Sequence, residues 1–162
     1  MNRWFLLPLV VSASSAFGAG AAPHPTQSKI LSLALPDAYR VTNPEGVRQA
    51  VAELRAEVPR VLPRGTNCRL LEVFEMGDTG DLMDFSAGLS SRWRQEYAPL
   101  KSSYRPVSRG GLRMNEEITK SLTTVYKTGS AKPFAYVFSS SERLFLGETL
   151  AANAMSVTVC AP

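Results

Sequence analysis

Two cysteines, Cys68 and Cys160, are the only ones in a chain of 162 residues, so a bond between them would tie the middle of the chain to its end. Whether they pair depends on the compartment, because disulfides persist in oxidising surroundings and are rare in the cytosol. The N-terminus bears on that question. Met1-Asn2-Arg3 leads into an apolar run from Trp4 to Val11, followed by small residues ending in Ala19-Gly20-Ala21. This is the order of charged, apolar and small-residue regions in a secretory signal peptide. The run holds Pro8 and gives way to Ser, Ala and Gly, well short of the roughly 18 apolar residues that a membrane span needs. The sequence therefore predicts a signal peptide over residues 1–21, cleaved after Ala21 in preference to Gly18, and a protein that is periplasmic or extracellular. No cysteine near that junction offers a lipid attachment point. The remaining chain is expected to form one disulfide, Cys68–Cys160, and to hold no second run that could span a membrane. In the chain-entropy model a closed loop of this size contributes about 4–5 kcal/mol, less any native strain. A redox-active pair would need neighbouring cysteines such as Cys-x-x-Cys, which are missing.

The counts exclude several chemistries. One histidine and two cysteines cannot build a Cys/His zinc site, a histidine-rich metal centre or a bis-histidine haem. The single histidine, His24, sits between Pro23 and Pro25 on what reads as an extended arm over residues 22–28, a poor platform for acid–base catalysis. No P-loop, dinucleotide fingerprint, Gly-x-Ser-x-Gly elbow or Ser-x-x-Lys motif occurs. No metal, cofactor or catalytic residue is assigned.

Residues 29–162 read as a single α+β domain. Leu31, Leu33 and Leu35 alternate up to Pro36, as in a strand. Asn43-Pro44-Glu45 has helix-start chemistry, and Val47, Val51, Leu54 and Val58 form an apolar stripe that Pro59 should stop. Cys68–Met76 reads as a strand. A second helix is expected over Asp81–Tyr97, from the spacing of Leu82, Phe85, Leu89, Trp93 and Tyr97. A third is expected over about Met114–Lys127, from Ile118, Leu122 and Val125, with Gly129 as its stop. Pro99–Leu112 would be the loop between them. Phe134–Phe138, Arg143–Leu146 and Met155–Cys160 read as strands, with Ser139–Glu142 as a hairpin loop. The order is β-α-β-α-α-β-β-β: about five strands in a largely antiparallel sheet, with three helices on one face and one disulfide.

Candidate carboxylate sites are weak. Asp78, Asp81 and Asp84 are spaced by three, which fits helix capping better than a calcium loop. Glu72 and Glu75 point to opposite faces of their strand. Tyr39-Arg40 followed by Ser139-Ser140-Ser141 loosely resembles the arginine and serine order of exported ADP-ribosyltransferases. The Glu-x-Glu or Gln-x-Glu pair of that family does not follow.

Charge is distributed unevenly. Residues 92–132 hold nine Lys and Arg against three Glu, whereas residues 22–91 carry a net −2 and residues 133–162 a net −1. Arg92, Arg94, Lys101, Tyr104, Arg105, Arg109 and Arg113 are therefore the expected partner-binding residues, on a basic helix-loop-helix surface with one aromatic among the guanidinium groups. The expected function is non-catalytic binding or assembly, against an envelope protein or an anionic envelope polymer, with nucleic acid ranked below both. Two alternatives stand beside it. One is a histidine-independent carboxylate hydrolase of the envelope, pairing Asp78 or Asp84 with Glu142 or Glu148. The other is an inhibitor or immunity-type protein of an exported enzyme.

Overall fold

The C-terminal half of the chain is rich in Thr, Val, Tyr and Phe, is punctuated by glycine-bearing turns, and folds as a four-stranded antiparallel meander. The computed structural model describes residues 26–35, 38–61, 64–76 and 87–162, with backbone alone at 38–40 and 58–61. The expected signal peptide, His24 and the three aspartates Asp78, Asp81 and Asp84 lie outside the described residues. The strands are β1 (Thr26–Ser28), β2 (Leu33–Leu35), β3 (Ala38–Arg40), β4 (Leu70–Met76), β5 (Gln95–Arg109), β6 (Leu112–Tyr126), β7 (Pro133–Leu146) and β8 (Thr149–Ala161). One long helix, α1 (Pro44–Val61), lies between β3 and β4. β1 and β2 make a small hairpin, and the other six strands form an antiparallel sheet in the order β3-β4-β8-β7-β6-β5.

This architecture overturns the expected three-helix α+β domain: the protein is mostly β. Residues expected to hold the end of the second helix, a loop and the third helix are instead paired as β5 and β6, from Gln95↔Val125 to Arg109↔Leu112. The reason is turn chemistry. Gly110 and Gly111 have φ of 59° and 81°. A two-residue loop with positive φ at both positions has the twist that joins adjacent antiparallel strands. The flanking Thr119, Thr123, Thr124 and Val125 are β-branched, so they fit a pleated surface better than a helix. Ile118 and Leu122 are four apart, which places them on one face of a strand as readily as on one face of a helix. Val125 faces the other way and is also buried, because this end of the sheet is covered on both sides.

Other boundaries also moved. Of the expected second helix, the described part is helical only at 87–90, before the chain enters β5. Ser139–Glu142, expected to be a hairpin loop, lies in the middle of β7, and the turn falls at Gly147-Glu148, where Gly147 has φ of 63°. The single strand expected near Leu31 is the β1–β2 hairpin, with Leu31 in its turn and Thr26–Ser28 drawn out of the supposed arm.

Two expectations hold. Helix α1 starts at Pro44, with Asn43 Oδ1 accepting a hydrogen bond from the Gly46 amide at 2.6 Å. A Cβ at Gly46 would lie 2.8 Å from Val41 Cγ1, so the cap needs glycine there. Pro59 lies in the last turn, and the helix ends two residues beyond it. The disulfide Cys68–Cys160 is present, with Cα atoms 5.2 Å apart, and it anchors the lead-in to β4 against β8.

The sheet buries both faces at its lower end. On one face Phe74, Val137, Val157 and Val159 pack with Leu31 and Leu35 from the β1–β2 turn region and Leu89 from the short helical segment. On the other, Leu54 of α1 packs on Leu122, Tyr136, Phe138 and Cys160.

Candidate interaction surface

The lengths of the strands decide which residues are presented. β4 pairs with β8 only from Leu70↔Ala161 to Met76↔Met155, so among the described residues β8 above Met155 has no neighbour on that side. β5 to β8 continue past this point as two hairpins side by side, joined through β6–β7 pairing up to Asn115↔Phe145. Their turns, Gly110-Gly111 and Gly147-Glu148, lie at the same end. The result is a four-stranded paddle projecting beyond the part of the sheet that β4 and α1 cover.

The paddle carries five of the seven expected contact residues. Alternation places Lys101, Arg105 and Arg109 on the face shared with α1, and Tyr104 and Arg113 on the opposite face. Arg105 pairs with Glu116 directly across on β6, and Arg109 Nη2 lies 3.6 Å from Glu142 Oε1 of β7. The hydrogen bond from Arg105, then a hydrogen bond with Glu142, and then the charges of Arg105 and Arg109 hold the Glu116 carboxyl below the usual carboxylate range, against the opposing effect of its burial. The same hydrogen bond raises the Arg105 guanidinium. Lys101, Tyr104 and Arg113 are exposed.

Arg92 and Arg94 lie elsewhere, at the opposite end of β5. Arg92 donates to the Ser32 carbonyl at 2.6 Å and stacks over Trp93, and Arg94 donates to the Ser130 carbonyl at 3.2 Å and stacks over Tyr126. Each ties one segment of the fold to another. The structure therefore does not gather the seven residues on one surface, and there is no helix-loop-helix.

Folding also changes the charge. Residues 101–117 and 142–150 hold Lys101, Arg105, Arg109, Arg113 and Arg143 against Glu116, Glu117, Glu142 and Glu148, leaving a net +1. The strongly basic block of the sequence is divided: Arg92, Arg94, Lys120, Lys127 and Lys132 lie outside these segments, Glu142 and Arg143 of β7 cancel, and Glu148 of the β7–β8 turn offsets part of the excess on β5 and β6. Lower down, Lys120 Nζ lies 3.7 Å from Glu57 of α1.

Sequence reasoning missed the apolar residues of the paddle. Leu112, Leu146 and Leu150 flank the two turns and are about half exposed or more, as is Tyr104. Together they are four of the six large hydrophobic side chains exposed among the described residues. The signal was available: leucines next to two-residue glycine turns must lie at hairpin tips, where little can cover them. Strand edges are the other means of contact, and here β5 is blunted. Pro99 and Pro106 remove amide donors, and the pairing register shifts between Pro99 and Lys101.

Of the carboxylates expected to pair, Asp78 and Asp84 lie outside the described residues, and on the paddle Glu142 lies beside Glu116. Glu142 pairs with Arg109, Glu148 is exposed at the turn, and Glu72 is buried under the β1–β2 hairpin. Among the described residues no group of three or more His, Cys, Asp or Glu could hold a metal ion. No described helix is long and apolar enough to cross a membrane. Comparison with family models, with curated proteins and with solved structures finds no match for this chain.

Proposed function

We propose that the protein is an exported, non-catalytic binding or assembly protein that engages an envelope protein through the tip of its β5–β8 paddle. The observation that carries this reading is the concentration of exposed Tyr104, Leu112, Leu146 and Leu150 at one end of a nearly neutral projection. Apolar groups set among polar ones mark protein contact surfaces, whereas an anionic polymer would call for an excess of unpaired basic groups. The tight turns hold these side chains in place before binding, which lowers the ordering cost of association. Export rests on the charged, apolar and small-residue order of residues 1–21, and the Cys68–Cys160 bond supports it.

The test is site-specific crosslinking in the native envelope, with a photoreactive residue at position 112 or 146. A discrete protein adduct is expected, lost when Leu112→Asp and Leu146→Asp are combined in a chain that still melts at the wild-type temperature. Equal crosslinking from an exposed position on α1, such as Gln49, would refute the assignment. Charge reversal at Arg105 would be a poor test, because it would disturb Glu116.

A further inference from the structure

A second surface, at the disulfide end of the molecule and away from the paddle, combines unpaired charge with an apolar cleft. The cleft has a volume of about 340 Å³ and lies between α1 and the segment leading into β4. Val51, the buried Leu54 and Leu71 line its apolar part, Thr66 and Asn67 form a wall, and the exposed Arg55 stands at its rim. Thr66 and Asn67 also line an adjoining depression of about 370 Å³, together with Arg64, Gly65, Arg69 and Pro162.

Three arginines thus border two contiguous hollows that have no Asp or Glu side chain among the described residues of either lining. Among the described residues none of the three guanidinium groups takes part in an ion pair. This sets them apart from Arg105 and Arg109, whose charges are met by glutamates within the sheet. The wall between the hollows is fixed: Cys68 is bonded to Cys160, and the Arg69 amide donates to the Ala161 carbonyl at 2.8 Å. Guanidinium groups beside an amide and a hydroxyl are the donor set for carboxylate and phosphate, and the volumes are those of small-ligand sites.

We infer that this cleft binds an amphipathic anion, with a single alkyl or acyl chain against Val51, Leu54 and Leu71 and a carboxylate or phosphate head held by Arg55, Arg64 and Arg69. The site is independent of the paddle, so either assignment can fail without the other.

The experiment is a titration of the isotopically labelled protein with dodecyl phosphate below its micelle concentration, followed by amide resonances. Saturable shifts are expected around residues 51–55 and 64–71. Affinity should fall by about tenfold or more in the Arg64→Gln/Arg69→Gln double variant, as expected for the loss of two charge-assisted hydrogen bonds. Inorganic phosphate should shift only the residues around Arg55, Arg64 and Arg69, and weakly, without the shifts at Val51 and Leu71, which would separate a lipid-like ligand from a free anion. Dodecanol, which lacks the charge, should bind at least tenfold more weakly than dodecyl phosphate. Because the arginines are exposed, both substitutions should leave the melting temperature unchanged; Asn67→Asp, which places a negative charge in the shared wall, is the second variant. The inference is overturned by non-saturable shifts, by equal affinity in the variants, by equal binding of dodecanol, or by shifts centred on Leu112 and Leu146.

Discussion

Glu116 on β6 has a side chain only 4% exposed, and its carboxylate is held by Arg105 directly opposite on β5, whose own side chain is 60% exposed. The pair is lopsided: the acid is covered by the sheet and the base lies over it. Loss of the base therefore leaves a covered charge without its partner, whereas loss of the acid leaves an arginine that water can solvate. Arg105→Ala should lower the melting temperature by more than Glu116→Gln does, and thermal melts of the two variants at neutral pH check the order.

The same pair sets a pH dependence. Because Arg105 depresses Glu116 in the folded state, folding favours the ionised form, and stability rises with pH across the carboxylate range. The contribution is fully present above the unfolded value of about 4.3 and disappears as pH falls through the lower folded value. Melting temperature measured from about pH 6 to about pH 3, the range in which carboxylates titrate, should fall more steeply for the wild type than for Glu116→Gln. Parallel curves would show that the pair has no linkage to folding.

On the opposite face of the sheet, Ser28 Oγ donates to Glu72 Oε2 at 2.5 Å, and the Lys29 and Ile30 amides donate to the same carboxylate at 3.0 and 3.3 Å. Ser28 Oγ also accepts from the Leu31 amide at 3.0 Å. Glu72 thus holds the β1–β2 turn, and with it Leu31 and Leu35, onto the sheet. Ser28→Ala removes a buried hydroxyl that both donates and accepts, and should cost about 1–3 kcal/mol. Urea unfolding would measure it, and hydrogen exchange should show the β1–β2 amides opening before those of β7.

These contacts show which features of the fold could be read from the sequence. Asn43 and Pro44 mark a helix start through local chemistry alone, and a lone pair of cysteines has a single intramolecular partner choice. Both readings stand in the structure. Ile118, Leu122 and Val125 misled because β6 is buried on both faces near α1, so the period-two alternation of a half-exposed strand is lost. Gly110-Gly111 is the decisive local signal: inside the expected Pro99–Leu112 loop it supplies the two positive-φ positions of a hairpin. The basic block was legible as a count but not as a surface. The partner of Arg109 is Glu142, which comes from β7, and that contact follows from sheet order rather than from any neighbouring residue.

The disulfide should be a large single contributor to stability. It links positions 92 residues apart, and cross-links across long loops restrict the unfolded chain most. Cys68→Ala/Cys160→Ala should lower the unfolding free energy by about 2–5 kcal/mol. Chemical denaturation of the oxidised and double-variant proteins checks the value. The variant should also show a larger denaturant slope, because its unfolded state exposes more surface.

The β5–β6 turn offers the sharpest test of the reassigned architecture. At Gly110 and Gly111 a Cβ would meet nothing within 4 Å, so the penalty of substitution comes from backbone conformation alone. Both residues have positive φ, a region that costs a non-glycine residue roughly 1–2 kcal/mol, that asparagine tolerates and that β-branched residues avoid. Gly110→Asn should therefore be close to neutral, whereas Gly111→Val should destabilise by about 1–2 kcal/mol or more. Had this segment been a flexible loop between helices, the two substitutions would behave alike. Hydrogen exchange separates the outcomes further: in Gly111→Val the amides of Ser103–Arg109 and Leu112–Ile118 should lose protection together, as one hairpin, while Val137 and Val159 at the lower end of the sheet keep theirs.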